Sequence, residues 1–255
     1  MMRKYASDAR SLFAFTAVLA CFAVTSCMKN KPWDYVALGD STPAGYGVDK
    51  SYVDYYGEFI AEDQGVQVES HNFSQSGQTT GVLLKQLRNN EELREAVRDA
   101  EVITIWTGWN DLSKPLSQYR DETCGGEDNL DCIREAVAAL NANIDAILDE
   151  ILCLTSPQDT LIRIADVGIP FVNTWKHQGW FATLQGPCYE VWRAHLVEAS
   201  EQRGITVVYT YRVLNGPDGD EKTEGIFQND GIHFNAEGHR LIARLHREAG
   251  YGYAP

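Results

Sequence analysis

The chain has 255 residues, 44% of them hydrophobic and 23% charged, with a formal net charge of −14. Those proportions belong to a globular protein able to bury a sizeable core, and the length suits one α/β domain behind a short leader better than two domains. The acidic balance leaves nothing to neutralise a phosphate backbone, so nucleic acid is excluded as a partner, and electrostatic docking on anionic lipid is disfavoured.

Residues 1–27 read as a leader. Arg3, Lys4 and Arg10 make a basic flank, and the apolar run from Leu12 to Val24, broken only by Thr16, is too short to span a bilayer comfortably. It ends in Val24-Thr25-Ser26-Cys27, which resembles the bacterial lipobox, where small residues precede a cysteine that becomes lipidated. On that resemblance residues 1–27 are a lipoprotein signal peptide, Cys27 is the lipidation site, residues 28–32 are a polar tether and residues 33–255 are the folded domain. The expected location is outside the cytoplasm, lipid-anchored to the bacterial cell envelope, with more than one acyl chain giving stable attachment.

Trp33 to Leu38 is an apolar run stopped by Gly39 and reads as a first strand. Ser51 to Glu62 carries aromatic and apolar residues at helical spacing behind a capping serine. Val66 to Phe73 reads as strand two, Thr79 to Ala100 as two helical pieces, and the β-branched run Val102 to Thr107 as strand three. Leu130 to Leu154 is a long amphipathic helix, with Ile133, Ala136, Val137, Leu140, Ile144, Ile147, Leu148 and Ile151 on one side. Leu161 to Val167 is strand four, Gly186 to Gln202 a helix, Ile205 to Tyr211 strand five, and Ala236 to Ala249 a closing helix. The stretches from Gly168 to Gly186 (aromatic) and from Asn215 to Gly231 (rich in Gly, Asp and Asn) read as loops. Strands alternating with helices predict a parallel sheet covered on both faces.

Beyond Cys21 in the leader and Cys27, four cysteines remain. An even number in an exported chain suggests disulfides. Cys124 and Cys132 bracket a short polar loop, and their pairing, with Cys153 to Cys188 as the second bridge, is the favoured one of three connectivities. A zinc site is disfavoured, because no C-x-x-C or neighbouring histidine at ligand spacing accompanies them.

Chemistry concentrates at four places. Gly39-Asp40-Ser41 follows strand one, and a serine past the carboxyl end of a parallel strand stands where α/β sheets place reactive groups. Asp230-Gly231-Ile232-His233 supplies a base that can activate a serine and a carboxylate that can fix its tautomer. Gly108-Trp109-Asn110-Asp111, after strand three, offers an amide donor to a developing oxyanion, and Gly77, after strand two, an unobstructed backbone N–H. Each is ordinary turn chemistry alone. Together, Ser41, Gly77, Asn110 and His233 each follow a different strand, so a parallel sheet would gather them at one edge.

All four blocks, in this order, resemble the SGNH hydrolase family, also called GDSL esterases/lipases. The resemblance implies a three-layer α/β/α fold with a five-stranded parallel sheet of flavodoxin-like type. It implies Ser41 as nucleophile, His233 as general base, Asp230 orienting it, and Ser41, Gly77 and Asn110 as the oxyanion hole. No metal or organic cofactor is implied. Asp111 is expected to brace the loop rather than react. The G-x-S-x-G elbow of the larger α/β-hydrolase family is missing. The other histidines, His71, His177, His195, His239 and His246, carry no catalytic signal. Tyr46 and Trp109 are candidate acyl-pocket walls, and Trp175, Trp180 and Phe181 a candidate lid or cleft wall. The expected activity is hydrolysis of a small-molecule, lipid or sugar ester. An acyltransferase or deacetylase acting on envelope polysaccharide is the first alternative, and a non-catalytic surface binding lipoprotein the second.

Overall fold

The computed structural model describes residues 31–252. The leader, Cys27 and the first residues of the tether lie outside them. Five strands, β1 (Trp33–Gly39), β2 (Val68–Asn72), β3 (Val102–Trp106), β4 (Leu161–Ala165) and β5 (Thr206–Val208), form one sheet in the order β2-β1-β3-β4-β5. Every pairing is parallel, with Ala37 opposite Asn72 on one side of β1 and opposite Thr104 on the other. Central β3 is buried along its whole length, as a doubly covered strand must be. The helices are α1 (Tyr52–Gln64), α2 (Thr80–Asn89), α3 (Glu91–Asp99), α4 (Trp109–Arg120), α5 (Asp131–Leu152), α6 (Val172–His177), α7 (Phe181–Leu184), α8 (Val191–Gln202), α9 (Tyr211–Asn215) and α10 (Ala236–Glu248). A π-helical segment, Gln185–Glu190, joins α7 to α8.

Two helical layers sandwich the sheet. α1 packs on α10, whereas α5 packs on α2, α4 and α8. Of the eight apolar residues expected along one side of α5, all but the half-buried Ala136 are buried, each buried one contributing about 1.5–3 kcal/mol relative to exposure. α1 starts with a reciprocal capping box between Ser51 and Asp54, and Gly65 ends it in the left-handed conformation.

The structure departs from the sequence reading at several elements. α4 has no counterpart there, since Pro115 sits inside it and proline normally argues against a helix interior. The aromatic stretch is not structureless, for it contains α6 and α7. Strand five is shorter than Ile205 to Tyr211: the Asp166 carboxylate accepts the Thr210 and Tyr211 N–H groups, at 2.5 and 3.0 Å, and turns the chain into α9.

Of the two expected disulfides, only Cys124–Cys132 is formed. Cys153 is exposed and Cys188 buried, both as free thiols. Pro187, next to Cys188, packs near Val137 and Asn141 in the first half of α5. Cys153 caps that helix's far end, about 24 Å further along its axis, and a disulfide spans less than about 7 Å between Cα atoms.

Candidate active site

The carboxyl ends of β1 and β3 meet almost without side chains between them. Gly39 has φ +141°, and a Cβ there would stand 1.9 Å from the Trp106 carbonyl oxygen, so only glycine fits. The chain then turns: Asp40 N–H donates to Trp106 O at 3.1 Å, and the Asp40 carboxylate accepts the Thr42 N–H at 3.0 Å. Asp40 is 4% exposed. Burial pushes its carboxyl up to about 7; the Thr42 N–H opposes this and the Asp111 charge reinforces it. Ser41 follows, and its N–H has no acceptor among the described residues.

On the far side of the site Asp230 and His233 are joined. His233 Nδ1 lies 2.6 Å from Asp230 Oδ2, while Asp230 Oδ1 accepts the backbone N–H groups of Ile232 and His233. Partial burial of the Asp230 carboxyl is outweighed by the His233 bond and the two backbone donors, which lower it to about 2. With Nδ1 committed to an anion, Nε2 is the nitrogen left to accept a proton.

Asn110 occupies the first turn of α4, where its Nδ2 donates to Gln78 O at 3.0 Å. That ties the amide to the 75–78 turn, which is itself bound to β1 by Gln75 N–H on Gly39 O at 3.0 Å. Gly77 is exposed in this turn with φ +78°; no atom stands within 4 Å of where its Cβ would be, and its N–H is unclaimed among the described residues. Asp111 points away and receives the Thr80 N–H and hydroxyl, at 2.9 and 2.5 Å, at the start of α2. It braces the loop, as expected. Gly108, at φ +129°, lies against Trp192, where a Cβ would stand 2.2 Å from the indole.

Ser41, Asn110 and His233 all line one cavity of about 230 Å³, together with Asp40 and Thr42. Gly77 and Asp230 do not line it: Gly77 precedes Gln78, whose carbonyl accepts from Asn110, and Asp230 is bonded to His233 Nδ1. Trp106, Trp109, Phe171, Phe227, Ile232 and Phe234 give the cavity an aromatic and aliphatic lining. Ile169, Pro170, Leu214 and Asn215 also line it. Trp109 is held rigidly, donating to Gly168 O at 2.8 Å and packing edge-on against Phe171 and Trp192.

Of the aromatic candidates, Trp109 lines the cavity, whereas Trp175, Trp180 and Phe181 do not. Trp175 is buried behind Trp109, and Trp180 packs edge-on against Tyr119. Phe171 takes the place expected of them. Tyr46 does not line the cavity either; its ring lies against the His233 imidazole at 4.3 Å between centroids, tilted by 35°. None of the other five histidines reaches the cavity: His71 and His195 pair with Asp34 and Asp145, His239 accepts the Tyr52 N–H, His246 is fully buried, and His177 is exposed. Among the described residues one grouping has metal-ligand character, Asp34, Glu69 and His71. It lies at the opposite end of β1 from Ser41, and Lys31 already pairs with Asp34 there.

A family model described as GDSL-like Lipase/Acylhydrolase matches residues 37–241. The chain is 27% identical over 223 residues to the spore germination lipase LipC of Bacillus licheniformis, covering 86% of this chain and 96% of that one. The crystal structure of the lipase Lip_vut3 from a goat rumen metagenome superposes with a TM-score of 0.71 at 26% identity, over 88% of this chain and 100% of that chain. The SGNH-hydrolase family esterase AlinE4 shares the fold at a TM-score of 0.54 and 20% identity, over 86% and 95% of the two chains.

Proposed function

The chain belongs to the GDSL-like lipase/acylhydrolase family of ester hydrolases, and from that membership we propose that it cleaves carboxylic esters through an acyl-enzyme on Ser41. His233 Nε2 takes the Ser41 proton as Oγ attacks the ester carbonyl carbon. The resulting oxyanion is held by the N–H groups of Ser41 and Gly77 and by the Asn110 amide. The intermediate collapses as His233 returns the proton to the leaving alcohol. Water, deprotonated by the same nitrogen, then attacks the acyl-enzyme and releases the acid. Asp230 fixes the imidazole tautomer and stabilises the imidazolium. The observation that carries this reading is the sharing of one cavity by Ser41, Asn110 and a His233 locked by Asp230. The unclaimed N–H groups of Ser41 and Gly77 support the oxyanion role, in which losing one donor costs about 10²–10³ in rate.

The acyl group is short. A cavity of about 230 Å³ is smaller than the roughly 300–1,000 Å³ of clefts that enclose drug-sized ligands. Its aromatic and aliphatic walls suit a small hydrocarbon chain or aryl group. Hydrolysis of p-nitrophenyl acetate, butyrate and palmitate beside Ser41→Ala tests both points. Turnover of the short esters that disappears in Ser41→Ala supports the assignment, whereas an active Ser41→Ala removes the nucleophile. Palmitate turned over as fast as butyrate removes the size limit.

The protein acts outside the cytoplasm, held to the bacterial envelope through lipid on Cys27. The lipobox-like sequence supports this, as does the Cys124–Cys132 bridge, since disulfides persist in oxidising compartments. Cys27→Ala should move the protein from the membrane fraction to the soluble one; unchanged membrane association would remove the anchor.

A further inference from the structure

The nucleophile turn and the base loop are far apart in sequence, yet both must hold one alignment through every cycle. Two residues outside the reacting set connect them. Tyr46 closes the turn that begins at Ser41, its N–H donating to the Ser41 carbonyl at 3.0 Å. Tyr46 is 50% exposed, so it is no part of the core, and its ring lies against the His233 imidazole, tilted by 35° with 4.3 Å between centroids. Gln228 completes the link from the other side. Its side-chain amide donates to Tyr46 O at 2.7 Å and to Phe234 O at 2.9 Å. Its backbone N–H donates to His233 O at 2.8 Å, and its carbonyl accepts the Gly231 N–H at 2.9 Å. Gly47 lets the turn approach this closely, for a Cβ there would stand 2.5 Å from Gln228 Oε1. One glutamine thus joins the turn that carries Ser41 to both flanks of His233.

We propose that Tyr46 and Gln228 are positioning residues that lock the His233 imidazole onto the Ser41 turn. The inference rests on the roles proposed above for Ser41 and His233. Neither residue lines the cavity, so neither should affect substrate binding. Both act on the relative placement of nucleophile and base, where displacement by about 1 Å can cost roughly 100-fold in rate.

The test is steady-state hydrolysis of p-nitrophenyl butyrate with thermal denaturation alongside. Gln228→Glu keeps size and shape but removes both amide donors. Tyr46→Ala removes the ring and leaves the Tyr46 carbonyl, and Tyr46→Phe keeps the ring. The expected result is a 10–100-fold loss of kcat in Gln228→Glu and in Tyr46→Ala, with KM within about twofold. Melting temperatures of the exposed Tyr46 variants should stay close to wild type, Tyr46→Phe should be close to wild type in rate, and the double variant little worse than the worse single one, because both act through the same ring. Should Gln228→Glu fail to fold, the exposed Tyr46 pair still decides. Wild-type kcat in Tyr46→Ala overturns the inference, as does a loss carried by KM or equal losses in Tyr46→Phe and Tyr46→Ala. An inert Ser41→Ala beside fully active Tyr46→Ala and Gln228→Glu refutes the positioning role alone. An active Ser41→Ala refutes the nucleophile assignment itself.

Discussion

Asp111 stands next to a residue of the site without belonging to it, and its replacement by alanine separates support from chemistry. Its carboxylate receives two hydrogen bonds from Thr80, a residue with no exposed surface. Hydrogen bonds to a charged acceptor contribute about 1.5–3 kcal/mol each, and a buried N–H left without a partner costs about 1–3 kcal/mol. Part of this is offset, because burial holds the Asp111 carboxyl above the ordinary carboxylate range and its own desolvation is relieved on removal. The Thr80 hydroxyl also keeps a partner in Asn143 Nδ2 at 3.0 Å. The net expectation for Asp111→Ala is a loss of about 2–4 kcal/mol, or a fall of roughly 5–12 °C in melting temperature for a domain of this size.

Activity should follow at a distance. Asn110 hangs between α4 and Gln78 O, and Gln78 lies two residues before Thr80. Loosening the start of α2 lets that amide drift, so kcat should fall about tenfold. Asp111→Asn keeps one acceptor oxygen and should fall between wild type and alanine in both measurements. The assay is thermal denaturation followed by circular dichroism, with ester hydrolysis on the same preparations. A thousandfold loss of kcat at an unchanged melting temperature would refute this reasoning, for Asp111 would then be taking part in the reaction.

Asp230→Asn should lower kcat by about 10²–10⁴ with little change in KM, toward the lower end because the Asp230 side chain is 40% exposed; a kcat within threefold of wild type would remove Asp230 from the mechanism. Replacing Cys124 and Cys132 by serine opens a loop of sequence separation 8, which corresponds to about 2.5 kcal/mol on the chain-entropy account. The melting temperature should drop by roughly 5–10 °C with kcat unchanged, and an unchanged melting temperature would show that the bridge does not constrain the unfolded chain. His246 is fully buried and stacked on Tyr52, and burial, then the Arg163 charge, lowers its ring to about 3. The unfolded chain therefore binds a proton near pH 6.5 that the native state refuses, so stability is lost as pH falls below that value, by roughly 2 kcal/mol at pH 5. His246→Phe should gain on wild type at pH 5 relative to pH 7.5 in urea titrations, and a pH-independent difference would contradict the assignment.

What the sequence reveals and conceals follows from the range of the forces involved. The strands were legible because Val102 to Trp106 and Leu161 to Ala165 are short apolar runs between turn signals, a pattern doubly covered strands impose locally. Ser41, Asn110, Asp230 and His233 were legible because each sits in a short block whose spacing has chemical meaning. Apart from Trp109, the cavity walls were not. Ile169, Pro170 and Leu214 look like any apolar loop residues, and only Asn215 explains them: its amide accepts the Ile169 N–H at 2.6 Å and donates to Ile169 O at 3.0 Å, across 46 positions. The expected Cys153–Cys188 bridge failed for the same reason, since parity says nothing about where along α5 the later segment docks. α4 escaped because proline propensity, a local rule, was overridden by packing.

The stretch from Asn215 to Gly231 takes this further. Its Gly, Asp and Asn content reads as solvated loop, and beyond Asn215, the last residue of α9, the structure does leave it without helix or strand. It is ordered nonetheless, because amide side chains do what a ladder of backbone hydrogen bonds does elsewhere. Asn215 donates to Ile169 O and Glu221 O, Gln228 holds Tyr46 O and Phe234 O, and Asn235 caps α10 with its oxygen while its nitrogen holds Gly225 O and Phe227 O. An amide can accept and donate at once, so each of these residues satisfies backbone groups of two segments that share no register. Carboxylates of the same shape would lose the donors and repel the carbonyls. The asparagines and glutamine that make this loop look unstructured in sequence are therefore the groups that hold the backbone around His233, which stands on irregular backbone tied down by side-chain amides.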